Sequence, residues 1–177
     1  MTKQDYKEIV YNAFRQTNSR ANHILYMRTF RFGVMRNMNP VEQEVFLNTI
    51  NEMIQEGLVS YEGKESGLDF LRFTEAGFEE LYDCRPDYDI AESLMDLFRK
   101  NKYNVDQIIP MRNINLQFLP SLNAKEQDRF EIVANTLIDA GFIYYEDGKE
   151  KHIVGFILKE KGFQYIYYNT PDIRSLF

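Results

Sequence analysis

The chain of 177 residues contains two copies of one sequence pattern, displaced by 84 positions. Identical residues at this displacement include Phe14 and Phe98, Arg28 and Arg112, and Gln43 and Gln127. One extra residue in the second copy then changes the displacement to 85, as for Gly77 and Gly162. Chance agreement does not keep one register over about sixty positions. We therefore predict two similar domains, residues 1–83 and 88–177, the second with a short C-terminal tail, joined by a linker over residues 84–87.

The composition is typical of a folded protein from a reducing compartment. Hydrophobic residues make up 44% of the chain and charged residues 27%, which is enough apolar material for a core. No apolar run reaches the length that crosses a bilayer, and the first residues lack the apolar centre of a signal peptide. The single cysteine, Cys84, has no second cysteine for a disulfide. We expect a cytoplasmic protein that does not associate with membranes.

Apolar spacing predicts the same helices in both copies. The predicted helices span residues 3–16 and 88–99, then the longer stretches 40–56 and 124–140. Asn39 suits the N-cap of the first long helix, and Glu42 lies where its carboxylate can bond back to the cap. Asn123 and Glu126 repeat this arrangement, with Gly57 and Gly141 placed to end the two helices.

A two-stranded ribbon and a short helix are predicted after each long helix. The ribbon strands span residues 58–62 and 68–73 around a turn at Gly63–Gly67, and 142–146 and 153–158 around a charged turn at Gly148. The closing helices begin near Thr74 and Glu160. Between the first and long helices, Ile24-Leu25 and Ile108-Ile109 fit a short helix. The residues that follow alternate like a strand: Phe30, Phe32 and Val34, then Ile114, Leu116 and Phe118. These two patterns leave the placement of a second helix in each repeat open.

The order of these elements resembles the winged-helix superfamily. Residues 54–61 and 71–78 are similar to the helix-to-strand and strand-to-helix junctions of regulators of the MarR and PadR type. Residues 138–145 and 157–163 repeat them, with Lys159 in place of the threonine. The resemblance implies an α+β fold of two tandem winged-helix-like domains, each mostly helical with a small antiparallel ribbon. It also implies either a DNA-binding regulator or an adaptor subunit.

Motifs that would indicate catalysis are missing from the sequence. Gly63 and Gly67 stand alone in a turn and do not form a phosphate-binding loop. The two histidines, His23 and His152, occupy non-equivalent positions, and Cys84 has no partner motif. We expect a protein that is not an enzyme and that holds no cofactor and no metal.

Positive charge is concentrated ahead of each long helix, although the net charge is −6. Residues 9–41 contain five arginines and no carboxylate, and residues 99–125 carry an excess of four positive charges. The candidate nucleic-acid-binding residues are Arg15, Arg20, Arg28, Arg31, Arg36, Arg99, Lys100, Lys102, Arg112 and Lys125. The long helix over residues 40–56 opposes this assignment, because it has four glutamates and no basic residue.

Two functions follow from these patterns. In the first, the chain is a regulator that binds double-stranded DNA, its two repeats acting as a pseudo-dimer over neighbouring half-sites. In the alternative, it is an interaction module that docks on a protein partner or on a second copy of itself and does not bind DNA. Steep salt dependence of DNA binding would favour the first function.

Overall fold

A computed structural model describes residues 1–63, 69–149 and 152–177. Its contacts divide the chain into two compact units, Met1–Asp83 (unit 1) and Cys84–Phe177 (unit 2). Each unit combines helices with one three-stranded antiparallel sheet, so the α+β fold class is confirmed. Three predicted pieces lie outside the described residues: the turn at residues 64–67, the start of its return strand at 68, and residues 150 and 151 of the charged turn.

Unit 1 begins with a helix and ends with one, and its sheet lies between them in sequence. Its elements are α1 (Lys3–Gln16), β1 (Ile24–Tyr26), α2 (residues 27–37), α3 (Pro40–Gln55), β2 (Val59–Gly63), β3 (Asp69–Phe73) and α4 (Glu75–Leu81). The strand order is β1-β3-β2, and Leu71 at the centre of β3 is opposite Leu25 on one side and Tyr61 on the other.

Unit 2 has the same element order and the same strand order, β4-β6-β5. Its elements are α5 (Asp87–Lys100), β4 (Ile108–Pro110), α6 (residues 111–121), α7 (Ala124–Asp139), β5 (Ile143–Asp147), β6 (Val154–Leu158), α8 (Glu160–Tyr168) and a 3-10 turn (Ile173–Leu176). Elements α5 to β5 begin 84 positions after their unit 1 equivalents, and β6 and α8 begin 85 positions after theirs. The displacement in the sequence is thus also the displacement of the folded elements.

The third strand of each sheet comes from residues that, by sequence alone, fit a short helix. Ile24 and Leu25 lie in β1, and Ile108 and Ile109 lie in β4. Each short strand pairs with the return strand of its own ribbon, which makes a sheet of three strands instead of two. The helix prediction was wrong because three residues are too few for periodicity to separate a strand from a helical turn.

The alternating apolar residues after each short strand form a helical segment. Segment α2 joins an α-helical turn (Met27–Thr29), a π-helical turn (Phe30–Val34) and a 3-10 turn (Met35–Asn37). In the π-helical turn the N–H of Met35 donates to the carbonyl of Phe30, and both of these side chains are buried. Phe32 between them is 79% exposed. The strand prediction was therefore wrong for Phe30, Phe32 and Val34, and equally for Ile114, Leu116 and Phe118 in α6.

The predicted capping of the long helices is confirmed in both units. The Asn39 side chain accepts a hydrogen bond from the N–H of Glu42 at 3.0 Å, and the Glu42 carboxylate accepts one from the N–H of Asn39 at 2.9 Å. Asn123 and Glu126 form the same pair of bonds, each at 3.0 Å. These reciprocal bonds satisfy N–H groups that a helix start otherwise leaves unpaired, which fixes where α3 and α7 begin.

The closing helices α4 and α8 lie directly against the backbone that follows the long helices. A Cβ on Gly77 would lie 2.1 Å from the carbonyl oxygen of Leu58, and one on Gly162 would lie 2.2 Å from that of Phe142. Only glycine fits such an approach. In unit 1, Phe14 of α1 also stacks on Phe73 of β3 at 4.3 Å between ring centroids.

No helix in the described ranges is both long and apolar enough to cross a membrane.

Candidate nucleic-acid interface

The exposed face of α2 carries three arginines. Arg28, Arg31 and Arg36 are all exposed, whereas Phe30 and Met35 on the same segment are buried. The buried apolar residues hold α2 against the core of unit 1 and thereby turn the arginines to solvent. Residues 27–37 contain no aspartate or glutamate, so the segment itself neutralises none of this charge.

The three arginines of α2 differ in how they are paired. Arg31 forms an ion pair with Asp69 of β3, with 2.6 Å between Nη2 and Oδ2, and Asp69 also accepts a hydrogen bond from the Tyr61 hydroxyl. The Arg28 guanidinium lies 4.9 Å from the centroid of the Tyr26 ring, which is cation–π distance. Within the described residues neither Arg28 nor Arg36 has a carboxylate partner. Within the described part of unit 1, no carboxylate therefore neutralises the charge of either guanidinium.

Unit 2 repeats one of these cations. Arg112 is exposed, occupies the position equivalent to Arg28, and forms no ion pair in the ranges that the structure describes. Elsewhere the exposed face of α6 is uncharged, with Asn115, Gln117 and Ser121. The positive surface is thus strongest on α2 and weaker on its counterpart.

The remaining candidate cations are spread over other elements. Arg15 on α1 pairs with Glu8 at 2.6 Å, and Arg99 on α5 pairs with Asp96 and donates to the carbonyl of Ile166. Each of these two arginines therefore stabilises the unit to which it belongs. Four more cations lie elsewhere: Arg20 in the loop after α1, Lys100 at the end of α5, Lys102 in the loop after it, and Lys125 in the first turn of α7. The structure therefore places Arg28, Arg31 and Arg36 on the exposed side of α2 and the other candidates on other elements of the two units.

The long helix α3 presents no cation to solvent. Val41, Glu44 and Asn48 are exposed on it, and Val41 is 69% exposed. On α7 the equivalent of Val45 is Arg129, whose guanidinium is bound to Asp87 of α5. Helix α3 therefore carries no positive charge into a phosphate-lined groove.

Exposed apolar residues at equivalent positions of α2 and α6 were missed by sequence reasoning. Phe32 is 79% exposed and Leu116 is 65% exposed. The sequence indicated a strand-like alternation for both stretches and made no prediction of the exposure of these two side chains. A π-helical turn leaves no periodic signature of its own in five residues, so the sequence held no signal for this exposure.

Neither a metal-binding cluster nor an activated thiol occurs among the described residues. No group of three or more His, Cys, Asp or Glu side chains capable of holding a metal occurs in the described part of the chain. Cys84 is exposed, and partial burial of its sulfur, followed by Glu126 and Asp87, raises the pKa of its thiol. A raised pKa lowers the thiolate fraction that reacts as a nucleophile.

Comparison of the chain with protein-family models, with curated proteins and with solved structures finds no match.

Proposed function

We propose that the chain is a non-enzymatic tandem winged-helix protein that binds double-stranded DNA, as transcription regulators do. The order of elements in each unit supports this proposal. A winged helix holds a short strand and a second helix between its first and long helices, and β1 with α2, like β4 with α6, occupies that place. The sheet order, with the return strand of the ribbon in the centre, is the same in both units.

The observation that carries the DNA proposal is the free positive charge of α2. Arg28 and Arg36 are exposed on a helical segment without carboxylates, and within the described residues neither has an anionic partner. Guanidinium groups bind phosphate through paired N–H donors, and phosphate neutralisation supplies most of the affinity of non-specific DNA binding. Arg112 repeats the position of Arg28 in unit 2. We infer that α2, and more weakly α6, contacts the phosphate backbone.

The proposed docking differs from insertion of the long helix into the major groove. Helix α3 exposes Val41 and Glu44 and has no lysine or arginine, so entry into the groove is electrostatically unfavourable. Backbone contacts position a protein on the duplex but do not read the base sequence. We therefore expect similar affinity for duplexes of different sequence.

The proposal is tested by neutralising arginines one pair at a time. The double variant Arg28→Gln and Arg36→Gln should bind a fluorescein-labelled duplex at low salt at least about tenfold more weakly than the wild type, measured by anisotropy. The control is Arg15→Gln together with Arg99→Gln, which removes the same charge from two arginines that are already paired. Equal weakening in both double variants, or no binding by the wild type, would refute contact through α2.

A second candidate function is docking on a protein, and the exposure of Phe32 and Leu116 favours it. Large apolar side chains exposed at equivalent helix positions are typical of interaction surfaces. If Phe32 and Leu116 mediate self-association, light scattering should show a mass above that of the monomer, and this mass should decrease in Phe32→Ser and Leu116→Ser variants. Tyr168→Ser is the control, because Tyr168 is similarly exposed but lies on α8. A monomeric mass at all concentrations would exclude self-association.

A further inference from the structure

Unit 2 contains a pocket of about 300 Å³ between α7 and the β5–β6 ribbon. Its walls are mainly apolar and include Met111, Phe130, Ile138, Tyr145 and Phe156. Pockets of this size are at the small end of those that bind organic ligands. The volume suits a molecule of one or two rings.

The duplication shows how the pocket arises. Ala134 on α7 lines it, and the equivalent residue on α3 of unit 1 is Ile50, which is 3% exposed. Phe130 is half-buried beside the pocket, whereas its equivalent Phe46 is fully buried. An alanine in place of isoleucine leaves about the volume of three carbon atoms unfilled where α7 faces the sheet. In unit 1 the equivalent position holds the larger, buried side chain of Ile50.

The walls of the pocket offer aromatic rings to a ligand. The Phe130 and Phe156 rings lie 6.3 Å apart between centroids at 79°, and the Tyr145 and Phe156 rings lie 5.8 Å apart at 61°. Rings set edge to face in this way leave positions where a further flat ring can pack with favourable geometry.

The polar groups at the pocket are suited to a hydrogen-bond donor. Glu131 is the one charged residue among the described residues that line it, and it occupies the position of Leu47 in unit 1. Asn135 and Tyr145 add an amide and a hydroxyl, and no side-chain hydrogen bond within the described residues uses the polar atoms of these three residues. A carboxylate next to aromatic rings favours a cation over an anion.

We propose that this pocket binds a small flat aromatic amine, with the rings against Phe130, Tyr145 and Phe156 and the ammonium group paired with Glu131. Apolar contact with Ala134 admits the ring system into the space that Ile50 occupies in unit 1. The lining of the pocket includes none of the arginines of α2, so this proposal does not depend on DNA binding.

Tryptamine is a suitable probe, because the chain contains no tryptophan and the indole fluorescence then reports the ligand alone. Titration of the full chain should show saturable binding of tryptamine, and indole-3-acetate should bind at least about tenfold more weakly. Ala134→Ile should remove tryptamine binding by filling the pocket as Ile50 does. Glu131→Gln should weaken tryptamine binding and reduce the difference between the two ligands.

The control for the charge is Asp139→Asn, which removes a carboxylate from the end of the same helix at a residue that does not line the pocket. It should bind tryptamine as the wild type does. The proposal is overturned if the wild type shows no saturable binding at millimolar tryptamine, or if a folded Ala134→Ile variant binds it unchanged. Equal effects of Glu131→Gln and Asp139→Asn would overturn the assignment of the ammonium group to Glu131. Both of these residues are exposed, so their variants still test the proposal if Ala134→Ile fails to fold.

Discussion

Replacing Glu126 by alanine should destabilise unit 2 more than the equivalent replacement of Glu42 destabilises unit 1. Both glutamates accept a hydrogen bond from the N-cap residue of a long helix. Glu126 is also 4% exposed and bonded twice by Arg85, with Nε 2.5 Å from Oε1 and Nη2 3.3 Å from Oε2. Glu42 is half-buried and has no ion pair within the described residues. The two variants therefore differ by the contribution of one arginine.

The expected magnitudes follow from these bonds. Loss of a capping bond costs about 0.5–1 kcal/mol, which is the full effect expected for Glu42→Ala. A charge-assisted hydrogen bond contributes about 1.5–3 kcal/mol, but the Arg85 side chain is 44% exposed and can bond to water after the change. The net contribution of Arg85 is therefore about 1 kcal/mol. Glu126→Ala should then cost about 2 kcal/mol, roughly 1 kcal/mol more than Glu42→Ala.

The effect of Glu126 should also depend on pH. Burial raises the pKa of this carboxyl, but the bonds from Arg85 and from the N–H of Asn123 outweigh burial and hold the pKa below its ordinary value of 4.5. A carboxyl with a lowered pKa in the folded state stabilises fully above its unfolded pKa and loses that contribution as pH falls through the folded pKa. The difference between the wild type and Glu126→Gln should therefore shrink only below about pH 4.5.

Amide hydrogen exchange on the full chain, read by mass spectrometry, separates the two units. Peptides from α7 should lose about 2 kcal/mol of protection in Glu126→Ala, and peptides from α3 should lose about 1 kcal/mol or less in Glu42→Ala. Equal losses in the two variants would show that Arg85 contributes nothing. A difference that persists unchanged at low pH would contradict the ionised pairing of Glu126.

Three further outcomes are expected. Gly77→Ala and Gly162→Ala should each lower the free energy of unfolding in urea by more than about 2 kcal/mol, because the new Cβ meets a backbone oxygen. A loss under about 0.5 kcal/mol would show that the closing helix can shift to make room. Lys159→Thr should stabilise unit 2 by about 0.5 kcal/mol in thermal unfolding, because the cap that Thr74 gives α4 at the equivalent position outweighs the loss of the exposed ion pair between Lys159 and Asp106. Destabilisation would contradict this. Cys84 should react with iodoacetamide at neutral pH more slowly than free cysteine, since its thiol pKa is raised, and faster alkylation would refute that direction.

The parts of the fold that depend on local sequence could be predicted. Asn39, Pro40 and Glu42 form a helix start within four residues, and the structure places the start of α3 there. The third strand could not be predicted in this way, because Leu25 pairs with Leu71, which is distant in the sequence. The π-helical turn at Phe30 was also beyond prediction, since its spacing imitates the alternation of a strand.

The candidate site was predictable as a set of charges but not as a surface. The sequence shows that Arg15, Arg28 and Arg31 belong to a stretch without carboxylates. It does not show that Glu8 binds Arg15 or that Asp69 binds Arg31, because those partners come from other positions of the folded chain. Availability to an external anion is thus a property of the fold, and it distinguishes Arg28 from its neighbours.

The salt dependence of DNA affinity tests the central proposal most directly. If Arg28, Arg36 and Arg112 each neutralise one phosphate, a plot of the logarithm of the binding constant against that of the salt concentration should have a slope of about −3. Arg28→Gln and Arg36→Gln should each make the slope shallower by about one. A slope near zero, or one that neither substitution changes, would contradict phosphate binding by α2.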